Sequence, residues 1–354
     1  MICAMSGSKQ FIVGIILLLV SQGLAAHDLQ SYDADGANVA VDPLEARWTF
    51  GNHEPLTMYR RVGNRTTGGL EGGALWLADW AADFDAKAPS RMRELGFNWT
   101  HSRFFKGLGL NEERKDFPAV RAFVDNCHSN GVRTLAYVQF ATLYHEKFKL
   151  EVPELAEWAS YKADGRHACW HDQYFRWIPC CTSRPFLDYL KRMSEIALKE
   201  GRFDGVMFDN VSSQPPCFCE RCRRLFREHL KTIEDPKARF GFDSVDGLDA
   251  PAAPIAYGEV QDPLVQEWNR WRADQLVAFF RELARHIRAI EPQAVVAGNI
   301  TDLRRARCAR CRELGWTSSW TELWMSCSSS AMANGRVLSR SSPTRRRFLR
   351  HCGS

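Results

Sequence analysis

Short apolar runs alternate with amphipathic stretches from about residue 74 to residue 300. Ala74–Leu77 (ALWL) is a first candidate strand. Ala86–Leu95 reads as a helix that stops at Gly96, a residue suited to the left-handed position after a helix end. Phe97–Phe105 (FNWTHSRFF) follows as a strand running into a loop. Asp116 is placed to cap the next helix, with Pro118 in its first turn. Val120, Phe123, Val124 and Cys127 recur at i, i+3, i+4 and i+7, which gives that helix one apolar face up to Gly131 and makes Cys127 a core residue. Val132–Phe140 (VRTLAYVQF) is a strand. Phe186, Leu190, Met193 and Ala197 mark another amphipathic helix, ended by Gly201, and Phe203–Asn210 (FDGVMFDN) is the next strand. Glu220–Leu230 is a short helix. Leu264–Ile290 is a long one, with Trp268, Leu276, Phe279, Leu283, Ile287 and Ile290 on its buried side. Pro292 stops it, and Ala294–Gly298 is the last strand.

The strands carry little polar alternation, as expected when both faces of a parallel sheet are covered. Neither GxGxxG after a first strand nor GxxxxGK[ST] occurs. The expected fold is therefore α/β, of (β/α)8 TIM-barrel type but incomplete, with about five βα units over residues 74–300. An open parallel sheet is the alternative. Residues 27–73 form a polar, Gly-rich irregular/β segment with one weak strand pattern, Ala46–Phe50. Residues 301–354 are rich in Arg and Ser, contain no Lys and show no sustained periodicity, so they read as an irregular tail. A composition break in mid-barrel is what a frame error or truncation produces; a genuine basic tail is the alternative.

The first 26 residues read as a signal peptide. Lys9 precedes the apolar run Phe11–Val20, and small residues follow at Gly23, Ala25 and Ala26. The expectation is a secreted or periplasmic protein with no stable membrane span after cleavage, an uncleaved anchor being the alternative. At 354 residues and 45% hydrophobic, the chain has material for one sizeable core. Much of the net charge of +5 comes from the Arg-rich tail, so charge does not argue for a nucleic-acid partner. The 12 Trp fit sugar stacking and core packing alike.

Asp204 and Asp209 bracket the strand DGVMFD. Asp204 lies at its entrance. Asp209 lies at its exit, the end where barrel loops carry catalytic groups. A carboxylate there can attack an anomeric carbon or stabilise the charge developing on it, whereas its structural role would be to cap the next segment or pair with an Arg. His101, Arg103, Gln139, Tyr144, His145, Asn210 and Asn299 are further polar residues near strand exits, able to bond sugar hydroxyls. Arg103 is also placed to orient a carboxylate. Trp170 and Trp177 are candidates for a stacking platform or for burial. Cys217, Cys219 and Cys222 form C-x-C-x-x-C at a helix start, and Cys180 and Cys181 precede the previous helix. In an exported protein these five favour disulfides, the trio pairing with Cys180 or Cys181. A structural zinc site and free thiols stay open. No other cofactor is expected.

Four segments together carry a resemblance: His101–Leu110 (HSRFFKGLGL), Leu135–Phe148 (LAYVQFATLYHEKF), Pro179–Arg192 (PCCTSRPFLDYLKR), and FDGVMFDN with Cys217–Leu230 (CFCERCRRLFREHL). They resemble a group of bacterial hypothetical glycosyl hydrolases, related to the amylase-like, α-galactosidase-like and family 42 β-galactosidase barrel enzymes. The resemblance covers roughly residues 70 to 300. It implies a carbohydrate substrate and hydrolysis of O-glycosidic bonds with retention. It also implies a strand-4 nucleophile, the position that Asp209 matches. The partner acid/base usually comes from a later strand, which here falls at or beyond Ile300. A non-catalytic carbohydrate-binding remnant, or a truncated product without function, is the alternative.

Overall fold

The computed structural model describes residues 84–211, 214–252 and 262–298, together with 45–49, 51, 53–55, 57–58, 78 and 81–82. The proposed signal peptide, the candidate strand Ala74–Leu77, Asn299 and the tail 301–354 lie outside the described residues.

Four strands form one parallel sheet in sequence order: β1 (Trp99–Phe105), β2 (Arg133–Gln139), β3 (Gly205–Asp209) and β4 (Val295–Gly298). Helix α1 (Ala88–Glu94) precedes β1, and the connections between the strands carry α2 (Phe117–Ser129), α3 (Arg184–Lys199), α4 (Glu220–Leu230) and α5 (Pro263–Ile290). The sheet does not close into a barrel among the described residues. Its β1 edge is extended by the N-terminal segment. Trp48 bridges Trp99 in parallel, Thr49 N–H donates to Trp99 C=O, and Trp99 N–H donates to Arg47 C=O. Residues 47–49 of the weak strand pattern thus supply the neighbour of β1.

The two sheet faces differ. Alternate residues Phe104, Ala136, Val138, Val206 and Phe208 share the main core with Val124 of α2, Leu190 and Met193 of α3, and Phe279, Phe280 and Leu283 of α5. The opposite face is apolar only near the strand starts, where Trp99, Leu135, Met207 and Val295 cluster with Ala46. Toward the strand ends the same face turns polar, with His101, Tyr137, Gln139 and Asp209 at positions two residues apart.

Two local expectations change. Asp116 precedes α2 in helical conformation and makes no side-chain cap; its carboxylate pairs with Arg103 at 3.6 Å instead. The buried side of α5 includes Trp271, Phe280 and the charged Glu267, while Leu276 and Ile290 are only half-buried. Glu267 tolerates burial because His229, Arg239 and Arg270 surround it at 2.9, 3.4 and 3.1 Å.

Candidate active site

Asp209 ends β3 and is half-buried. Asn210 then takes a left-handed conformation, φ 58°, which asparagine adopts more readily than most residues. This turn brings Asn210 Nδ2 within 2.6 Å of Asp209 Oδ2. The Tyr137 hydroxyl donates to the same oxygen. Two donors on one oxygen fix the rotation of the carboxylate.

Tyr137 is itself held from behind. Its hydroxyl lies 2.9 Å from Gln139 Oε1 and 3.4 Å from Lys106 Nζ. A phenol has one proton to give and two acceptor positions. If the proton goes to Asp209, the Gln139 amide must turn end for end so that Nε2 donates to Tyr137, and that nitrogen has no other partner. Lys106 then fills the second acceptor position. Burial, with Asp209 and Glu54 nearby, raises the Tyr137 hydroxyl well above its ordinary range and keeps it a donor.

Lys106 Nζ makes an ion pair with Glu54 at 2.7 Å, both side chains being 4% exposed. Burial works to raise the Glu54 carboxyl, but the Lys106 ammonium and the adjacent His53 outweigh it and hold it down to about 2. His53 and His101 lie against the Tyr137 ring, with centroids 4.8 and 5.8 Å away. Burial, with His53 and Lys106 nearby, pushes His101 down to about 3, so its imidazole is neutral. The strand exits thus present a linked set of charges: Glu54, Lys106, Tyr137, Asp209.

The structure therefore groups His101, Gln139 and Asn210 with Asp209. Arg103 is buried beside them, but its described partners are Asp116 and, at 3.3 Å, the Glu54 carbonyl, while its guanidinium covers the Phe84 ring. Tyr144 belongs to a two-stranded ribbon, Leu143–Tyr144 with Arg176–Trp177, and His145 opens the short helix His145–Phe148 that follows it. His145 stacks on Trp177 at 4.1 Å and reaches the Tyr174 carbonyl at 3.2 Å. His167 also stacks on Trp177, at 3.9 Å, so that indole is engaged by two imidazoles. Asp204 serves the other end of β3, accepting from His128 at 2.9 Å and from Thr134 N–H at 2.7 Å.

Sequence reasoning did not single out Glu54, Lys106, Tyr137 or Arg176. Parity offered a signal for one of them: Tyr137 lies two residues from Gln139 on the same strand, so both face the same side. Glu54 sits in a segment without periodicity and offered none.

Beyond Asp209, Cys217, Cys219 and Cys222 converge with Cys180. The four Sγ atoms lie within 4.8 Å of one another, with Cys180 3.4 Å from Cys222 and 4.0 Å from Cys219. These separations exceed the ~2.05 Å of a disulfide. They suit four thiolates about a tetrahedral ion, whose ~2.3 Å bonds place sulfurs about 3.8 Å apart. Hydrogen bonds from Cys217, Cys219 and Cys222 hold the Cys180 thiol well below its usual range. Cys181 stands apart, packed against the main core, and burial pushes its thiol up to about 12.

No family model matches the chain, and no curated protein matches it. Solved structures do. A β-galactosidase from the psychrophilic Marinomonas ef1 aligns with TM-score 0.50 at 14% identity, over 72% of this chain and 36% of that one. An α-amylase from Anoxybacillus aligns with TM-score 0.40 at 12% identity, over 78% and 51%. An α-galactosidase from Lactobacillus brevis aligns with TM-score 0.36 at 9% identity, over 60% and 24%. The chain spans from about a quarter to a half of the length of these three proteins. The first likeness is one of fold, a parallel sheet with helices in its crossovers.

Proposed function

We propose that this chain belongs with glycoside hydrolases acting on O-glycosidic bonds of an oligo- or polysaccharide, with Asp209 as the nucleophile of a retaining mechanism. The observation that carries the reading is Asp209 at a strand exit, with one carboxylate oxygen engaged by Tyr137 and Asn210. A nucleophile needs a fixed attack direction, and two donors on Oδ2 supply it. The acid of such a pair must arrive protonated. Glu54, held at about 2 by Lys106, is unsuited to that role and serves as a fixed charge behind Tyr137. The test is a panel of aryl glycosides and oligosaccharides with the wild type and Asp209→Asn. Loss of nearly all turnover in the variant is expected. Equal turnover in both would overturn the assignment. Saccharide binding by the wild type without any hydrolysis would favour a non-catalytic binding protein.

We also propose that Cys180, Cys217, Cys219 and Cys222 hold a structural zinc ion. Export would favour disulfides, but four convergent sulfurs at these separations favour a metal. One zinc per chain by elemental analysis is expected, falling on Cys222→Ser. Metal-free protein with two disulfides would overturn it.

A further inference from the structure

Tyr144 and Arg176 are register partners across the antiparallel ribbon, so their side chains stand side by side on one face. Both are buried, at 3% and 4% exposure. Arg176 Nη1 donates to Gln173 Oε1 at 3.2 Å. Among the described residues its guanidinium otherwise lies over ring faces, 5.2 Å from the Tyr144 centroid and 5.6 Å from that of Trp170. No carboxylate among the described residues pairs with it, and Nε has no acceptor. The Tyr144 hydroxyl is also buried without a partner.

A buried guanidinium without an anion is costly, and such groups are ordinarily paired. Because Nη1 is already used, the edge left open contains Nε and Nη2. That edge is the fork which accepts both oxygens of a planar carboxylate. The Tyr144 hydroxyl, on the same face of the ribbon, is a further polar group without a partner. Neutral sugar hydroxyls could bond to these groups but would leave the charge uncompensated.

The pair belongs to the same end of the molecule as Asp209. Tyr144 N–H donates to the carbonyl of Gly107, next to Lys106, at 2.8 Å. The hydroxyls of Tyr144 and Tyr137 both lie within electrostatic reach of Glu54, and Tyr137 bonds Asp209.

We propose that Arg176 and Tyr144 form a carboxylate-binding subsite and that the substrate is an acidic saccharide containing a uronic acid. The inference rests on the carbohydrate reading above, but its test reads binding rather than turnover. Glucuronate, glucose and acetate are titrated at constant ionic strength into the full-length protein, by calorimetry and by following the arginine Nε–H resonances. Glucuronate should bind, and move one arginine Nε–H signal that Arg176→Lys removes. Glucose and acetate should each bind at least about tenfold more weakly, since each lacks half of the ligand. Arg176→Lys keeps the charge but loses the fork, and should weaken glucuronate about tenfold to a hundredfold. Tyr144→Phe removes only a hydroxyl without a partner, so it keeps the question open to test if Arg176→Lys does not fold. It should weaken glucuronate several-fold. Glucose binding as tightly as glucuronate, or glucuronate binding unchanged in Tyr144→Phe or in folded Arg176→Lys, would overturn the subsite. Acetate binding as tightly as glucuronate would overturn the saccharide assignment. Glucuronate bound as expected with no uronide hydrolysed would leave the subsite standing and count against the glycosidase reading.

Discussion

At the scale of single residues, the behaviour of the site follows from charges held out of water. Glu54 and Lys106 are both almost fully covered, so removing one partner strands the other. Glu54→Gln is expected to cost about 3–5 kcal/mol at neutral pH, read from the urea midpoint. The pH dependence has a definite sign. The folded-state carboxyl of Glu54 is depressed from 4.5 to about 2, so its stabilisation is complete above about 4.5 and is lost as pH falls toward 2. His101 is depressed from 6.5 to about 3, so protonation of the unfolded chain begins to oppose folding below about pH 6.5. Burial raises the Glu113 carboxyl to about 8, which works the other way between pH 8 and 4.5, so the His101 contribution is read as a difference between variants. Relative to His101→Gln, the wild type should lose unfolding free energy as pH falls from about 6.5 toward 3, and a difference that stays constant over that range would contradict the placement of His101. Tyr137→Phe leaves the ring and removes the donor to Asp209. If the glycosidase reading holds, turnover should drop about tenfold to a hundredfold while the urea midpoint moves much less.

At the scale of elements, β3 is fixed at both ends by different chemistry. Its entrance is tied by Asp204 to His128 of α2 and to the backbone of β2. Asp204→Ala should lose about 1–3 kcal/mol of stability, measured by denaturant titration, because it removes the acceptor from a half-buried set of donors. Gly205, the next residue, faces the backbone of β4 so closely that an added Cβ would sit 2.1 Å from the Val295 carbonyl oxygen. Gly205→Ala is expected to force β4 away from β3 and to raise hydrogen exchange selectively in Val295–Gly298. Protection of β4 equal to wild type would show that the backbone yields more easily than this contact implies. The loop after β1 has a similar constraint. Gly107 has φ 99°, and a Cβ there would meet the Thr142 carbonyl oxygen at 2.2 Å. That close approach brings Lys106 beside the ribbon that carries Tyr144.

At the scale of the whole molecule, the described part has two main cores, apart from smaller apolar clusters such as that at the strand starts, and a polar sheet end. The larger lies between the sheet and the helices α2, α3 and α5. The smaller joins Phe226 and Leu230 of α4 to Trp268 and Trp271 of α5, and includes Cys180, Cys217 and Cys222. If the four sulfurs hold zinc, a strong chelator should loosen the smaller core first. Limited proteolysis should then cut around residues 214–250 before it touches the β1–β3 region, and added zinc should restore protection. Simultaneous loss of both cores would show that the metal is not a local brace.

How much of this was legible in the chain alone depended on the range of the interaction. Periodicity located β1 to β4 and α2 to α5 to within a few residues, because burial of one helix face or of a strand leaves a local imprint on composition. It also placed Asp209 at a strand exit and marked C-x-C-x-x-C as a cluster in need of a partner. Tertiary structure decided which residues meet. It put residues 47–49 beside β1, turned Asp116 from helix cap to partner of Arg103, and chose Cys180 over Cys181. It also assembled Glu54, Lys106 and Tyr137 behind Asp209, and left Arg176 beside Tyr144 without an anion. Those pairings join residues distant in sequence and stabilise buried charge. A buried charge leaves no periodic trace, because it needs only one well-placed partner, and the fold supplies that partner from anywhere along the chain.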